Sequence, residues 1–388
     1  MLMSPRNVLL MGYFKNHIVG SKVELLKSMG YNVHAFEAGN YDLAEYIYYA
    51  DSFYNYGNYN RPVSHNNWIY RYKNEIEEII RNLGLIKEYK NMATIAMSLI
   101  EKIEPDIIWG VWGSGILSWL RTFRRVGFRG KIVWTANVIP NRIKNLNWSS
   151  ENMLYKKWLH KMGGIILTGN RMQEFMQKEY PRSKNNKHLL LLDYLPKSWF
   201  AKKVDYLANN KEPHVVYLGA PERYGKKLDI VDTQLLEMAN AGIHIHCAKP
   251  KDSSVSHTLI HYYEPFDDAS FVNGEFGQFI NQFDAAIVLY NYERYHPRFA
   301  STFPTRFIVA LCGCTPIFLK KGLLLSCEEF VEGNGIGKAY ENTLELKKML
   351  MDVALMDRLR KSSKQNYNKF SSDSFVNRSF LKDFLDNL

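Results

Sequence analysis

Cysteine and long apolar runs are both scarce in this chain of 388 residues. Its four cysteines lie mostly within apolar stretches, which favours reduced, buried thiols over a disulfide framework or a zinc site. The longest uncharged stretches, 107–120 and 307–319, are shorter than the about 18 to 20 residues that a membrane-spanning helix requires. The sequence therefore excludes a disulfide-braced miniature protein and predicts no transmembrane helix.

The sequence also lacks a secretory leader and the short motifs of several enzyme classes. Arg6 is followed directly by the strand-like stretch NVLLMG, without the apolar segment and cleavage site of a signal peptide. There is no Walker motif, no nucleophile elbow and no Asp-x-Asp pair of the kind that holds a metal and a sugar nucleotide. We expect a cytoplasmic protein that needs neither a cofactor nor a metal.

The composition is that of a folded protein with more than one domain. Hydrophobic residues make up 46% of the chain, aromatic residues 14% and charged residues 23%, so enough apolar surface is available to offset chain entropy. A chain of this length is about twice the usual size of a single domain. Two domains with separate cores are therefore expected.

The positive charge is concentrated in the first half of the chain. Residues 1–200 contain 27 Lys and Arg against 16 Asp and Glu, whereas residues 201–388 contain 23 of each. The densest cluster comprises Arg121, Arg124, Arg125, Arg129 and Lys131, interleaved with Trp119, Phe123 and Phe128. Such a cluster indicates an anionic partner such as a membrane surface, a lipid phosphate or a nucleic acid. Of these we expect the inner face of a membrane, with the aromatic side chains at its surface. The alternative is a solvated helix face whose aromatic residues pack inward.

Short apolar stretches alternate with longer amphipathic ones throughout the chain, which is typical of a parallel α/β fold. The clearest helix is predicted around 92–103, where apolar residues recur every three or four positions. The predicted strands are Val8–Met11, Val33–Phe36, Ile107–Val111, Ile132–Thr135, Ile165–Leu167, Leu189–Leu192, Val215–Leu218, Ile243–Cys247, Leu259–Tyr262, Ala285–Tyr290 and Pro316–Leu319. Residues 41–72, rich in tyrosine, interrupt this pattern and are expected to form either a loop beside a binding cleft or a loop without function.

A polar stretch divides the chain into two such series. We predict a first domain at 1–203, a linker at 204–213, a second domain at 214–370 and a last helix at 371–388 that crosses back to the first domain. Two tandem Rossmann-like, doubly wound domains would bind ligands where the carboxyl ends of their strands face a common cleft.

One segment of the second domain carries a recognisable chemistry. A predicted strand ends at Tyr290, a polar loop follows, and Pro304 begins a helix with Arg306 in its first turn. Unpaired amide groups at a helix start and an arginine beside them suit a phosphate group. The alternative is an ordinary crossover helix with a surface arginine.

This segment resembles the donor-binding stretch of the GT-B glycosyltransferases, whose helix reads P-x-K-x-x-E-Y-x-x-x-G-x-P. Here Pro304 and Pro316 match in spacing, Arg306 replaces the lysine, and Val309 stands where relatives carry a ribose-binding glutamate. The resemblance is to family 4-like members and to the membrane-associated glucuronosyltransferase of xanthan assembly. It implies that the following residues bind the nucleotide-sugar donor: Gly219, Arg223, Lys226, Glu264, Tyr290, Glu293, Thr305 and Arg306.

In the first domain the resemblance concerns architecture. We expect the acceptor at loops 12–20, 112–115 and 136–142, with Gly12, Trp112 and Ser114 as binding residues. His17 is the predicted base and Asn137 the predicted polar partner of the acceptor hydroxyl, so both are candidate catalytic residues. A catalytic carboxylate is missing after the strand at 132–135, which favours a retaining mechanism.

The resemblance implies a hexosyltransferase that moves a sugar from a nucleotide-diphosphate donor to a saccharide or lipid-linked saccharide in polysaccharide or glycoconjugate synthesis. Two alternatives stay open at this point. One is a sugar-nucleotide 2-epimerase of the same fold, which needs acid and base carboxylates. The other is a basic RNA-binding protein, although the chain lacks the usual RNA-binding signatures and no nucleic acid is expected.

Overall fold

The computed structural model describes residues 5–14, 16–38, 50–55, 88–139, 146–203, 212–219, 231–249, 255–291 and 298–388. The chain divides into two compact units. Unit 1 comprises Met1–Asp193 together with Phe375–Leu388, and unit 2 comprises Tyr194–Ser374. Each unit is an α/β sandwich around its own parallel sheet, as the sequence predicts. Arg223, Lys226 and Glu293 lie outside the described residues, as does most of the predicted linker.

The sheet of unit 1 has seven parallel strands in the order β3-β2-β1-β4-β5-β6-β7. The strands are β1 Asn7–Gly12, β2 Asn32–Glu37, β3 Ser52–Asn55, β4 Ile107–Val111, β5 Lys131–Ala136, β6 Gly164–Leu167 and β7 Lys187–Leu190. Central strands such as β4 are buried along their whole length because helices cover both faces of the sheet.

The described helices of unit 1 are α1 His17–Ser28, α2 Glu88–Ile103, α3 Ser114–Arg125, α4 Leu146–Trp158, α5 Asn170–Glu179 and α14 Phe375–Asp386. One apolar face of α2 packs into the core, where Met92, Ala96, Leu99 and Ile103 are all buried. The same residues carry the helical periodicity of the sequence. The helix predicted around 92–103 is therefore present.

The sheet of unit 2 has six parallel strands in the order β10-β9-β8-β11-β12-β13. The strands are β8 His214–Tyr217, β9 His244–Ala248, β10 Ile260–Tyr263, β11 Ala285–Val288, β12 Ile317–Lys320 and β13 Gly337–Tyr340. The described helices are α6 Asp232–Asn240, α7 Asp268–Val272, α8 Glu275–Asn281, α9 Arg298–Ser301, α10 Thr305–Cys312, α11 Leu325–Gly333, α12 Thr343–Met351 and α13 Val353–Asn366.

The strand order reverses at one place in each sheet. Strand β1 lies between β2 and β4, and β8 lies between β9 and β11. Successive connections leave such a strand in opposite directions, so the loops at its carboxyl end diverge and open a crevice. This geometry gives each unit one preferred ligand position, after β1 and β4 in unit 1 and after β8 and β11 in unit 2.

Three sequence predictions differ from the structure. The tyrosine-rich segment 41–72 contains strand β3 at the sheet edge, so it is not wholly a loop. Strand β13 was not predicted, because GKAY is short and half-polar at an edge position. Strand β7 begins and ends earlier than the apolar stretch Leu189–Leu192 indicates. Edge strands bury less of their surface, and their sequence patterns are correspondingly weaker.

The last helix is grouped with the residues of the first unit. The Lys131 amine donates to the carbonyl oxygens of Leu385 and Asp386 at the end of α14, at 3.0 and 2.9 Å. Arg6 forms an ion pair with Asp386 at 2.9 Å. These cations satisfy carbonyl groups that lack helical partners, and they hold the end of α14 against unit 1. None of the described helices is long and apolar enough to cross a membrane.

Candidate functional site

Three donor-site residues of the sequence prediction lie close together at the carboxyl edge of the unit 2 sheet: Tyr290, Thr305 and Arg306. The guanidinium carbon of Arg306 lies 5.0 Å from the centre of the Tyr290 ring and 5.2 Å from that of the Tyr217 ring. Tyr217 is the last residue of β8, and Tyr290 follows the neighbouring strand β11. Both contacts are within the range of a cation–π interaction. The two rings and the arginine thus occupy the crevice position of this unit.

Arg306 reaches this position from the first turn of α10. Its Nη1 donates to the carbonyl oxygen of Leu289 at 3.3 Å, so the side chain lies along the exit of β11. Helix α10 begins at Thr305, one residue later than the sequence predicts, so Pro304 is the residue before the helix. The amides of Phe307 and Ile308 donate to the Pro304 carbonyl oxygen. The amide and the hydroxyl of Thr305 form no hydrogen bond within the part of the chain that the structure describes. The start of α10 therefore retains a polar group that an anion could use.

Gly219 lies directly beneath the Tyr217 ring. An added Cβ at this position would meet the Cζ and hydroxyl oxygen of Tyr217 at 3.0 Å. The Gly219 amide donates to the Tyr217 carbonyl at 2.9 Å, and its own carbonyl accepts from Ala248 at the end of β9. The turn after β8 is therefore tight, and its glycine leaves space for the tyrosine ring.

Helix α6 is hydrogen-bonded to the backbone of Tyr290. The side-chain amide of Gln234 donates to the Tyr290 carbonyl oxygen at 3.0 Å. Among the described residues, the buried side-chain oxygen of Gln234 has no hydrogen-bond partner. Sequence reasoning missed both Gln234 and Tyr217. For Tyr217, the signal available in the sequence was its position near the end of a predicted strand.

Glu264 follows β10 at the edge of the same sheet. Its carboxylate accepts from the Lys249 amine at 3.0 Å, and both side chains are largely exposed. An exposed ion pair of this kind contributes little to stability. In the described residues Glu264 is thus paired with Lys249, whereas Tyr290, Thr305 and Arg306 lie at the start of α10 and the end of β11.

No protein-family model matches the chain, and no curated protein sequence matches it. Solved structures match over nearly the whole length. Sucrose-phosphate synthase from Thermosynechococcus elongatus is 13% identical, with 98% of each chain covered and a TM-score of 0.67. The chain has the GT-B fold.

Other solved structures of the GT-B fold agree with this assignment. HepE from Anabaena, solved in complex with UDP and glucose, is 10% identical with a TM-score of 0.65, covering 99% of this chain and 100% of the other. The UDP-forming trehalose-phosphate synthase from Burkholderia vietnamiensis is 11% identical with a TM-score of 0.61, again covering 99% and 100%. Identities this low establish the fold alone.

In unit 1, Gly12 ends β1 and His17 begins α1, so the two residues lie at either end of the loop after β1. A Cβ on Gly12 would meet Cγ1 of Val19 at 2.4 Å, so only glycine lets α1 pack this closely. His17 is the first residue of α1 and is half-buried, and the side chain of Asn16 caps the helix by accepting from the Ile18 amide. The loop that carries the predicted base is therefore fixed by close packing and a helix cap.

A carboxylate that the sequence reasoning missed supports the same loop. Glu37, the last residue of β2, is fully buried and accepts from the Phe14 amide at 2.7 Å. Its position opposite Gly12 in the β1–β2 register brings it to the crevice of unit 1. A buried carboxylate bonded to backbone amide groups orders the loop before His17.

The second predicted acceptor loop follows β4. Trp112 has a φ of 88°, a conformation that costs a bulky residue energy. Two hydrogen bonds maintain it: the Trp112 amide donates to the Thr135 carbonyl at 3.2 Å, and its carbonyl accepts from the Trp134 indole at 3.0 Å. Ser114 begins α3 two residues later. This strained turn lies at the carboxyl edge of the sheet, next to the loop after β1.

Asn137 lies in the third predicted loop, directly after β5. Its side-chain amide is buried and donates to Oδ2 of Asp193, while its own oxygen has no hydrogen-bond partner among the described residues. The other oxygen of Asp193 forms an ion pair with Lys22 of α1 at 2.6 Å. The described structure thus places Asn137 within a buried polar cluster with Lys22 and Asp193, two residues that sequence reasoning did not single out.

The aromatic residues of the basic cluster at 121–131 pack inward. Trp119, Phe123 and Phe128 are buried in the core of unit 1, and Arg121 is only 3% exposed. Arg124 donates to the carbonyl oxygens of Phe128 and Gly130, at 2.8 and 2.9 Å. The prediction that these aromatic residues meet a membrane is therefore wrong. The inward-packing alternative applies because α3 uses its aromatic face to cover the sheet.

The remaining reactive side chains are packed within unit 2. Cys247, Cys312, Cys314 and Cys327 are all free and buried, and burial raises the pKa of Cys247 and of Cys314 to about 12. The predicted reduced thiols are therefore present. Among the described residues, no group of three or more His, Cys, Asp or Glu side chains is arranged to hold a metal ion.

Proposed function

We propose that this protein is a glycosyltransferase that transfers a hexose from a nucleotide-diphosphate sugar to a saccharide or lipid-linked saccharide. The observation that carries the proposal is the position of Arg306. Its guanidinium lies over the rings of Tyr217 and Tyr290 at the reversal point of the unit 2 sheet, in a chain of the GT-B fold. Ligands of open α/β sheets bind at this point.

The chemistry at this position suits a departing nucleoside diphosphate. Cleavage of the bond between the sugar and the diphosphate leaves additional negative charge on the phosphate oxygens. The Arg306 guanidinium can donate two parallel N–H bonds to them, and the Thr305 amide and hydroxyl can add further donors at the start of α10. Preorganised donors of this kind stabilise developing charge without reorganisation. We therefore propose that the reaction requires no metal.

We assign the donor to unit 2 and the acceptor to unit 1. Support for a uridine nucleotide as the first donor to test comes from HepE, a structural neighbour that was solved with UDP and glucose. Within unit 1, the loops after β1 and β4 offer His17, Gly12 and the strained turn at Trp112 to an acceptor. His17 is the proposed base if the reaction inverts the anomeric centre.

We further propose peripheral association with an anionic membrane, which would present a lipid-linked acceptor in polysaccharide synthesis. The charge imbalance of the first half of the chain supports this proposal, whereas the aromatic residues at 119–128 do not. Helix α14 of unit 1 offers a different apolar surface, because Phe375 and Phe380 are 79% and 56% exposed beside Arg378 and Lys382. Flotation with neutral and anionic vesicles tests it: equal binding to both at low salt contradicts the proposal.

Donor binding is tested first by thermal shift with UDP-, GDP- and dTDP-sugars. A ligand at 100 times its Kd stabilises the folded protein by about 2.7 kcal/mol, which raises the melting temperature measurably. Transfer is then tested with the stabilising donor labelled in its sugar and with saccharide acceptors. Release of free nucleoside diphosphate together with label in the acceptor supports the proposal.

The two alternatives predict different results in the same experiments. A 2-epimerase converts the donor sugar without any acceptor, and a labelled donor would then yield its epimer. An RNA-binding protein would retain RNA on a filter with strong salt dependence and would ignore nucleotide sugars. No shift with any nucleotide sugar, together with tight RNA retention, overturns the proposed function.

A further inference from the structure

The backbone of Tyr217 is held within the sheet, unlike that of Tyr290, the other ring over which Arg306 lies. It is the last residue of β8, its side chain is fully buried, and β8 is paired on both sides, with β9 and β11. Tyr290, in contrast, lies beyond the end of β11 and is half-buried. Of the two rings that face the guanidinium, Tyr217 therefore provides the rigid one.

We propose that Tyr217 is a positioning residue of the donor site, which fixes the plane of the Arg306 guanidinium for recognition of a diphosphate. The inference rests on the proposed function and goes further, because it names a residue that acts through Arg306 and not by contact with the donor. Arginine has a long, flexible side chain, and its rotamer entropy is lost when the guanidinium is held in one orientation. Rings that hold it before the donor arrives reduce that loss on binding.

The position of the two rings also determines what Arg306 can bind. The ring centres lie 5.2 and 5.0 Å from the guanidinium carbon, on β8 and after β11. Aromatic rings stack against the faces of a guanidinium, and its N–H groups then point outward in the plane. A planar edge with parallel N–H groups matches two oxygen atoms of a phosphate. Lysine, a point charge on a flexible stem, cannot reproduce this arrangement.

Gly219 connects the tyrosine ring to the turn after β8. Because a Cβ at 219 would lie 3.0 Å from the Tyr217 hydroxyl, alanine at this position would press on the ring. The ring would then shift relative to Arg306, since its backbone is held in the sheet. Gly219→Ala is therefore a second way to disturb the contact between the ring and Arg306, and residue 217 is still a tyrosine in this variant.

The test measures the Kd of UDP, GDP, dTDP and ADP by calorimetry for the full chain, and uses the tightest-binding of the four as the probe. We expect Tyr217→Leu to weaken binding about five- to thirtyfold, the range of a desolvated cation–π contact. Tyr217→Phe retains the ring and should bind within about twofold of wild type. The matched control is Tyr340→Leu, a buried tyrosine at the end of β13, which should melt earlier but keep the wild-type Kd.

A double-mutant cycle separates positioning from a general structural effect. If Tyr217 acts through Arg306, then Tyr217→Leu should have no further effect on the Kd once Arg306 is alanine. Gly219→Ala should weaken binding in the wild-type background and not in the Arg306→Ala background. It also serves as the decisive variant if Tyr217→Leu fails to fold.

The outcomes distinguish the inference from the function on which it rests. If the wild-type protein binds none of the four nucleotides, the proposed function is overturned and the inference fails with it. If wild type binds and Arg306→Ala weakens binding, but Tyr217→Leu or Gly219→Ala binds like wild type, the inference alone is overturned. Additive effects of Tyr217→Leu and Arg306→Ala overturn it as well.

Discussion

The amine of Lys22 lies 2.6 Å from a carboxylate oxygen of Asp193, and both side chains are almost completely buried. Lys22 lies in the middle of α1, whereas Asp193 follows the edge strand β7 and is the last residue of the first segment of unit 1. The second Asp193 oxygen accepts from Asn137. This ion pair therefore connects the helix after β1 with the point at which the chain leaves unit 1.

Removal of one partner of this pair should destabilise the protein strongly. Lys22→Met or Asp193→Asn leaves a buried charge without its counterion, which costs about 3 to 5 kcal/mol. We expect a lower melting temperature by circular dichroism for either variant. The double variant Lys22→Met with Asp193→Leu should recover much of the loss, because no buried charge remains. A double variant that is less stable than both single variants would contradict this explanation.

The affinity for nucleotide should depend on the charge and shape of Arg306. Arg306→Ala removes a charge-assisted contact and should weaken the binding free energy for the nucleoside diphosphate by about 1.5 to 3 kcal/mol. The Kd should therefore rise about ten- to a hundredfold. Arg306→Lys keeps the charge but should recover only part of the affinity, because the planar fork is lost. Calorimetry measures both, and an unchanged Kd in a normally melting Arg306→Ala protein argues against the donor site.

His17 provides a test of the catalytic assignment in unit 1. If His17 is the general base, His17→Ala should reduce turnover by about 10² to 10⁴ while the donor Kd stays unchanged. Asn16→Ala is the matched control for loop order, because Asn16 caps α1 without reaching the chemistry. Near-wild-type turnover of His17→Ala would remove it from the catalytic residues.

Unit 2 should lose stability as the pH falls below about 6.5. Four histidines stack on one sheet face, with His214 hydrogen-bonded to His246 and His244 to His261, at 3.0 and 2.9 Å. Desolvation, with the neighbouring histidines, lowers the pKa of His246 to about 3, and desolvation also lowers the pKa of His214 and His261. The charged groups that face this cluster are Glu212, which pairs with His244, and Asp284, which pairs with Arg360.

The direction of this effect follows from proton uptake. In the unfolded chain His214, His246 and His261 titrate near 6.5, so below about pH 6.5 the unfolded state binds protons that the folded state does not. Stability therefore falls as the pH falls through this range. Urea unfolding at pH 7.5 and 5.0 measures it, and His246→Phe should reduce the difference between the two midpoints. An equal difference in wild type and His246→Phe would assign the pH dependence to other groups.

The sequence by itself determined the architecture and part of the candidate donor site. Apolar stretches such as Ile107–Val111 are buried on both faces, so their position in the chain predicts parallel strands without knowledge of their neighbours. The spacing from Pro304 to Pro316 predicted α10 and placed Arg306 in its first turn, with only the helix start displaced by one residue. Local patterns suffice for such features because the side chains that define them lie within a few turns of the chain.

Only the tertiary structure decided which side chains meet. Tyr217 and Arg306 are far apart in sequence, as are Lys22 and Asp193, and neither pair has a local pattern that predicts it. The same holds for Trp119, Phe123 and Phe128, whose spacing suits a membrane-facing helix as well as a core-facing one. Burial depends on what packs against a helix from elsewhere in the chain. Strand order brings those distant segments together, and composition and periodicity carry no information about it.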